Sequence, residues 1–408
     1  MILYLLKFFP KLSEAFILDE LCEVKRRKVP LRVWALGRWP DDDGEHPEVA
    51  VVQSDVEYLD QDGPGRIRKG IALARLSVRA KKRVARARRI LREEHANHYG
   101  YVYTESLPRA IRLRKLGVTH IHAHFMSEAA DHALALSLLS GIPFSVTAHG
   151  SDILLYPHPH LGLIAEHATA ILTASEYNRK HLLAEGVREE KIHVIPNGVD
   201  TGAFIAPDRA GRSAGDPPHL LTVARLTPVK GIDVLLRAYA KLSERGIRFR
   251  ATIVGGGRER ARLVALRNKF GLVDVVNFTG DQPRDAVHRA YGDADLFVLA
   301  SRSEGFPVSV LEAMASGLPV VAPDITGLPE QIEHGAQGRL FPAEDFSALA
   351  DTLEELLVPA NRDALRAMGS AARERAVRDF ALAHTVDMRL AQFDASHAQP
   401  DAPSPRES

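Results

Sequence analysis

The sequence predicts an α/β fold built from two doubly wound parallel sheets, one in each half of the chain. Three observations carry that expectation. The chain has 408 residues, too long for one ordinary core and suited to two. Short apolar, β-rich runs alternate with helical patterns through short links, the pattern of βαβ units. Between the halves stands IPNGVDTGAF (195–204), whose Pro196, Asn197 and Gly198 are turn formers and mark a hinge. The expected domains are residues 1–198 and 199–378. A C-terminal helix at 379–395 is placed to pack back on the first domain, and a proline-containing, disordered tail follows at 396–408.

The second half is the plainer of the two. Strands are expected at 219–224, 249–254, 275–279, 295–300, 318–322 and 338–341, with helices at 230–244, 258–270, 283–291, 308–316 and 346–357. The Ala/Arg-rich stretch at about 363–393 is also helical in pattern. In the first half, strands are expected at 1–6, 31–36, 118–123, 143–148, 169–174 and 191–195, and helices at 13–27, 104–116, 127–140 and 176–186. MILYLLKFFPKLSE lacks a basic lead and a small-residue cleavage site, so it reads as a buried first strand and not as a signal peptide. The apolar stretch from Ala133 to Ala148 is interrupted by Gly141 and Pro143, and reads as helix, turn and strand, not as a membrane span.

Composition narrows the function. Apolar residues make up 45% of the chain, enough for two cores. The net charge of +1 gives no global attraction to nucleic acid. A single cysteine, Cys22, excludes an intrachain disulfide and fits a reducing compartment; it reads as a small buried hydrophobe. Open parallel sheets bind ligands beyond the carboxyl ends of their strands, so two such halves across a hinge point to a cleft that holds the chemistry.

The second half carries the motifs. ARLTPVKG (224–231) follows a strand and opens a helix, which puts Arg225 and Lys230 at a strand's carboxyl end beside unpaired helix amides. Two cations there suit a diphosphate, at about 1.5–3 kcal/mol for each charge-assisted hydrogen bond. VGGGRER (254–260) has Gly255 and Gly256 after the next strand, either for close ligand approach or simply for a tight turn. SRSEGFPVSVLEAMASG (301–317) places Glu304, Gly305 and Phe306 in a loop and Pro307 and Val308 at a helix start. Ser309, Val310 and Leu311 then offer helix amides, with Glu312 in the same helix and Gly317 at its end. A carboxylate accepts from both hydroxyls of a vicinal diol, which suits Glu312 to a ribose and Glu304 to a sugar ring.

Residues 219–342 resemble the nucleotide-sugar domain of the glycosyltransferase family 4 enzymes, on ARLTPVKGID, IVGGG, NFTG, ADLFVLASRSEGFPVSVLEAMASGLPVVAP and the hinge IPNGVD. FPKLSEAFILDEL, IHAHF and TAHGSDI resemble a subgroup that builds bacterial exopolysaccharides, the colanic-acid-type transferases. The resemblance covers nearly the whole chain. It implies the GT-B fold, with two Rossmann-like domains facing across a cleft, and retaining transfer of a hexose from a UDP- or GDP-sugar without a required metal or cofactor. It implies that Arg225 and Lys230 hold the diphosphate, Glu312 the ribose and Glu304 the donor sugar, and it matches His149 to a histidine facing that sugar. The chain departs from many relatives at FFPKLSEAF (8–16), which stands where they carry a glycine-rich loop; its Ser13 and Glu14 are placed to cap the first helix.

On the acceptor side the candidates are His124, Ser13, Glu14 and Asp152. His122 and His124 end one strand, with one of the two expected to point into the core. A metal on His122, His124 and His149 is conceivable, but nothing else requires it. The D-x-D pairs Asp41–Asp43 and Asp293–Asp295 read as a solvated loop and a helix end. Residues 66–92 hold twelve Lys/Arg and no Asp/Glu. Their apolar positions at 67, 71, 74, 78, 84, 87 and 91 make an imperfect amphipathic helix, suited to an anionic membrane surface; no aromatic interleaving favours nucleic acid. The reading is a cytoplasmic enzyme, peripheral on the inner face of the plasma membrane, that acts on a glycan or lipid-linked acceptor. The rival readings are a nucleotide-sugar epimerase on the same fold and a binding protein with a degenerate site.

Overall fold

The protein is described by a computed structural model covering residues 1–11, 14–39, 47–61, 78–204 and 216–398. It forms two compact units, Met1–Ile195 with the chain from Val386 onward, and Pro196–Thr385. The boundary falls three residues before the expected 198/199. The reason is that Asn197 donates to Phe306 O at 2.9 Å and Val199 pairs with Ala381, so the turn belongs to the second unit.

The first unit is a seven-stranded parallel sheet in the order β3-β2-β1-β4-β5-β6-β7. Its strands are β1 (Ile2–Phe8), β2 (Leu31–Gly37), β3 (Val56–Tyr58), β4 (His120–His124), β5 (Phe144–Ala148), β6 (Ala170–Thr173) and β7 (Ile192–Val194). The second unit is a six-stranded parallel sheet in the order β10-β9-β8-β11-β12-β13. Its strands are β8 (His219–Val223), β9 (Arg250–Val254), β10 (Val276–Gly280), β11 (Leu296–Val298), β12 (Val320–Pro323) and β13 (Gly338–Phe341). In each sheet the strand order reverses beside the first strand, between β1 and β4 and between β8 and β11. A doubly wound sheet opens its ligand crevice at such a reversal. The central strands are buried on both faces, which is why they read as near-continuous apolar runs.

Several elements differ from expectation, among them the short helix Leu161–His167. β3 is an unforeseen edge strand of three residues, too short to show a period. The helix expected at 104–116 and the latter part of the basic segment are one helix, Val78–Lys115, with Pro108 inside it; residues 66–77 lie outside the described ones. The stretch 363–393 is two helices, Arg362–Asp379 and Leu382–Ala398. They break because Val199 donates to Phe380 O and accepts from Leu382 N, both at 2.9 Å, which draws the backbone out of the helix. Gly198 permits that approach, since a Cβ there would lie 2.3 Å from Thr385 Oγ1. Side chains of the expected tail at 396–408 lie outside the described residues. Among the described residues no helix is long and apolar enough to cross a membrane. Cys22 is half-buried, and its thiol donates to Glu48 O at 3.7 Å.

The last helix returns to the first unit and brings a charge into its core. Arg389, 3% exposed, donates to Glu20 Oε2 at 2.6 Å, and the Tyr4 hydroxyl donates to Glu20 Oε1 at 3.2 Å. Phe393 stacks on His120 with ring centres 4.7 Å apart. Burial pushes the Glu20 carboxyl up, but Arg389 and then His124 overcome that and hold it well below its ordinary range.

Arg389→Ala leaves Glu20 a buried charge without its counter-ion. It is expected to lower the unfolding free energy of the first unit by roughly 3–5 kcal/mol in denaturant melts. Replacing both residues with methionine is expected to cost less than either single change. Because the folded-state pKa of Glu20 is depressed, the pair's stabilisation is fully present above the unfolded-state value and is lost only as pH falls through the folded one. In Arg389→Ala the largest opposition to burial is gone and the Glu20 pKa rises, so the cost of the substitution is expected to grow as pH rises through that raised value.

Candidate active site

In the second unit the crevice is lined by the turns after β8 and β11. The first of these carries Arg225 and ends in a single 3₁₀ turn, Pro228–Lys230. Gly231 follows with φ +60°, and a Cβ on it would lie 1.9 Å from Ala300 O. Only glycine allows this turn to close on the end of β11. The closure sets Lys230 Nζ 2.6 Å from Glu304 Oε1. Ser301 Oγ donates to the same oxygen at 2.6 Å, and Thr326 Oγ1 donates to the Glu304 carbonyl. Glu304 is therefore buried but held by two donors on one carboxylate oxygen. Arg225 is exposed, and no ion pair engages it among the described residues.

Arg302, one residue past Ser301, is engaged within the protein. Its guanidinium takes Asp233 in a two-point grip, at 3.0 Å to each carboxylate oxygen, and reaches Pro228 O at 2.6 Å. Its backbone amide donates to Val229 O at 2.7 Å. Burial pushes the Asp233 carboxyl up and Arg302 more than reverses it, so the pair stays ionised. Arg302 thus clamps the turn that carries Lys230.

Glu312 lies in the helix Val308–Ala315, where its Oε2 accepts from the Tyr291 hydroxyl at 2.7 Å. Tyr291 is fully buried, which orients the carboxylate. Ser301, Tyr291, Arg302 and Asp233 were not picked out from the sequence. Their partners lie 3, 21 and 69 residues away, and only the Ser301–Glu304 spacing is local enough to be noticed.

Several expected contacts are corrected. The Gly255 amide donates to Gly280 O at 2.9 Å and the Gly256 amide to Asp281 Oδ1 at 2.6 Å, so neither is left for a phosphate. These glycines serve packing: a Cβ on Gly255 would lie 2.2 Å from Ala224 O. The Val310 amide donates to Pro307 O at 3.2 Å, inside its own helix. The Phe306 ring is buried against Phe380, with centres 5.6 Å apart, while Gly305, Val308 and Ser309 are half-buried around Glu304 and the helix start. Of the D-x-D pairs, Asp295 accepts from His219 N at 2.8 Å and Asp293 ends a helix, so both are structural. Asp41–Asp43 lie outside the described residues.

In the first unit, His120, His122 and His124 share one face of β4 and all are fully buried. The expectation that only one of His122 and His124 points inward is therefore wrong, because residues two apart on a strand face the same way. His124 stacks on Tyr4 with ring centres 5.9 Å apart and does not line an open surface. Its Nδ1 is 3.5 Å from His149 Nε2. His149 is buried at the end of β5 against Phe16 and Phe125. Burial, and then the neighbouring His124, hold its pKa well below the ordinary value, so the ring is neutral at physiological pH. Burial pushes the Asp152 carboxyl up to about 7, although Oδ2 accepts from Met126 N at 2.5 Å. Glu14 stands at the N-cap position of Ala15–Arg26 but does not cap; it pairs with Lys11 at 2.5 Å, and Lys11 lies 4.4 Å over the Trp39 ring. Ser13 lies outside the described residues.

Glu20, His122 and His124 bring ligand atoms within 4.8 Å of one another, the spacing a metal ion needs. The chemistry of the donor set argues against an ion there. Arg389 already neutralises Glu20, and both ring nitrogens of His122 are taken, by Ser145 Oγ at 2.8 Å and Thr147 Oγ1 at 3.0 Å.

Arg302→Ala removes the clamp on the Lys230 turn. Amide hydrogen exchange across 227–231 of the unliganded protein is expected to speed up by on the order of tenfold, the loss of one charge-assisted pair. Unchanged exchange would show that the turn holds itself.

Comparison with known proteins places this geometry. The model for glycosyl transferases group 1 matches residues 206–375, and that for Glycosyltransferase Family 4 matches residues 25–203. The chain is 35% identical over 243 residues to a protein of Salmonella typhimurium named as a colanic acid biosynthesis glycosyltransferase, WcaL, covering 57% of this chain and 59% of that one. It is 34% identical over 248 residues to the amylovoran biosynthesis glycosyltransferase AmsK of Erwinia amylovora, covering 58% and 60%. These two matches span less than two thirds of the relatives' own lengths. A longer one, 30% over 292 residues, reaches 65% of this chain and 74% of a GDP-mannose-dependent phosphatidylinositol monomannoside mannosyltransferase of Mycobacterium tuberculosis. Among solved structures, Anabaena Alr3699/HepE in complex with UDP superposes with a TM-score of 0.71 at 20% identity, over 97% of this chain and 99% of that one. The two parallel-sheet units have the GT-B fold, and the chain belongs to glycosyltransferase family 4.

Proposed function

We propose that the protein is a retaining hexosyltransferase that moves a sugar from a UDP- or GDP-sugar to a hydroxyl of a glycan or lipid-linked acceptor in bacterial exopolysaccharide assembly. The observation that carries this reading is the grouping of Lys230, Glu304 and Glu312 around one sheet reversal. A diphosphate, a sugar and a ribose need a cation and two carboxylates in that order. The names of the relatives support an exopolysaccharide product, and the UDP complex of a structural neighbour supports a nucleotide donor.

In this reading Arg225 and Lys230 meet the negative charge that grows on the leaving diphosphate, which is electrostatic catalysis by fixed protein charges. The clamp of Arg302 on Asp233 keeps Lys230 from having to reorganise as that charge develops. Glu312, oriented by Tyr291, binds the ribose, and Glu304 the donor sugar. A neutral His149 is suited to hydrogen bonding and not to ion pairing with the donor. Asp152, with a pKa of about 7, exchanges a proton readily near neutral pH and suits the acceptor side, as do Glu14 and Lys11 beside Trp39. The exposed Lys81, Lys82, Arg86, Arg88 and Arg89 of the helix Val78–Lys115 are suited to an anionic bilayer, at about 1 kcal/mol per well-placed charge. The enzyme would then work on the cytoplasmic face.

Lys230→Ala is expected to weaken UDP or GDP affinity roughly ten- to a hundredfold, the worth of one charge-assisted contact, with the fold intact. Calorimetry on both nucleotides reads this and reports the base preference; unchanged affinity removes Lys230 from the diphosphate. With protein cations at the diphosphate, turnover is expected to survive EDTA. Loss of turnover that manganese or magnesium restores would assign the charge to a metal instead. Transfer to an added acceptor supports this reading, whereas epimerisation of the donor with no acceptor present would favour the epimerase.

A further inference from the structure

Lys230 has a partner within the protein. Its ammonium sits 2.6 Å from Glu304 Oε1, with side-chain exposures of 18% for Lys230 and 8% for Glu304. Ser301 Oγ adds a second donor to the same oxygen, also at 2.6 Å. The two residues given separate tasks, one for the diphosphate and one for the sugar, therefore neutralise each other. A diphosphate cannot take the Lys230 charge in full while a carboxylate holds it, because the two anions would share one cation at hydrogen-bond distance.

We propose that Glu304 is the internal counter-ion of Lys230, and that the arriving diphosphate takes Lys230 over and so releases the Glu304 carboxylate toward the donor sugar. This rests on the donor-binding reading above. The sugar contact is then made only once the nucleotide is seated, and part of the diphosphate's binding energy goes into parting the pair. Ser301 keeps Glu304 hydrogen-bonded through the exchange, so a buried carboxylate is not stranded. Lys230 stays partly open to solvent, and the incoming anion has a path to it. The opposite arrangement is a fixed pair, in which Glu304 serves only to aim Lys230 at the phosphate.

The two arrangements predict opposite signs. With release, Glu304→Gln removes the competing anion, so UDP or GDP, whichever the wild-type chain binds, is expected to bind about three- to tenfold more tightly, while turnover of the nucleotide sugar falls. The parent nucleoside, which lacks phosphate, is expected to bind with unchanged affinity. Glu304→Ala provides the same test of diphosphate binding. In the wild-type chain, saturating nucleoside diphosphate is expected to shift the ¹³C resonance of the Glu304 carboxyl. Weaker or unchanged diphosphate binding in the folded variants, or an unmoved resonance, would overturn this proposal and leave the donor site standing. Failure of wild-type protein to bind either UDP or GDP would overturn the donor-binding reading and this proposal with it.

Discussion

The crevice of the second unit depends on one close approach, the turn after β8 pressed against the end of β11. Gly231 makes it possible, since any Cβ at that position would collide with the Ala300 carbonyl. Once the turns meet, Lys230 reaches Glu304, Arg302 reaches Asp233 and Pro228, and Ser301 reaches Glu304. The contacts of Lys230 and Arg302 are available to neither turn alone, whereas the Ser301–Glu304 bond lies within the second. The parallel sheet supplies the setting, because its strand order reverses there and no crossover helix covers the gap.

The first unit is organised by charge as well as by apolar packing. Its core carries Glu20 and Arg389 as a buried pair, with Tyr4, His122, His124 and Phe393 around them. A buried pair of this kind adds little net stability over an apolar core, but either partner alone is costly. The consequence is specificity of docking: the last helix has one register in which Arg389 meets Glu20, and there Phe393 falls on His120. His149 lies at the edge of this group through His124, so the polar interior extends to the carboxyl end of β5.

Much of the fold was legible in the sequence. The βαβ alternation located the central strands of both sheets to within about two residues, because strands buried on both faces appear as apolar runs whatever their neighbours are. β3 was not legible, since three edge residues carry no period. Nor was the break at Phe380, since nothing local to 363–393 says that Val199 will pair there. Of the candidate residues, Lys230, Glu304 and Glu312 were singled out by their positions at strand ends and helix starts, which are local signals. The role of Gly255 and Gly256 was left open, because glycine after a strand looks the same whether it admits a phosphate or another turn; the structure gives both amides protein partners.

The sequence by itself determined the elements, their parallel arrangement, the family and the residue types at the crevice. All of these follow from short-range periodicity and from motifs a few residues long. Only the tertiary structure decided which groups meet: Lys230 with Glu304 across 74 residues, Glu312 with Tyr291 across 21, Glu20 with Arg389 across 369. It also decided that Arg302 grips Asp233 and that His124 is interior. The physical reason is that pairing depends on strand order and on how closely two backbones can approach. Hydrophobic pattern constrains neither, because it records only which face of each element is buried and not what lies against it.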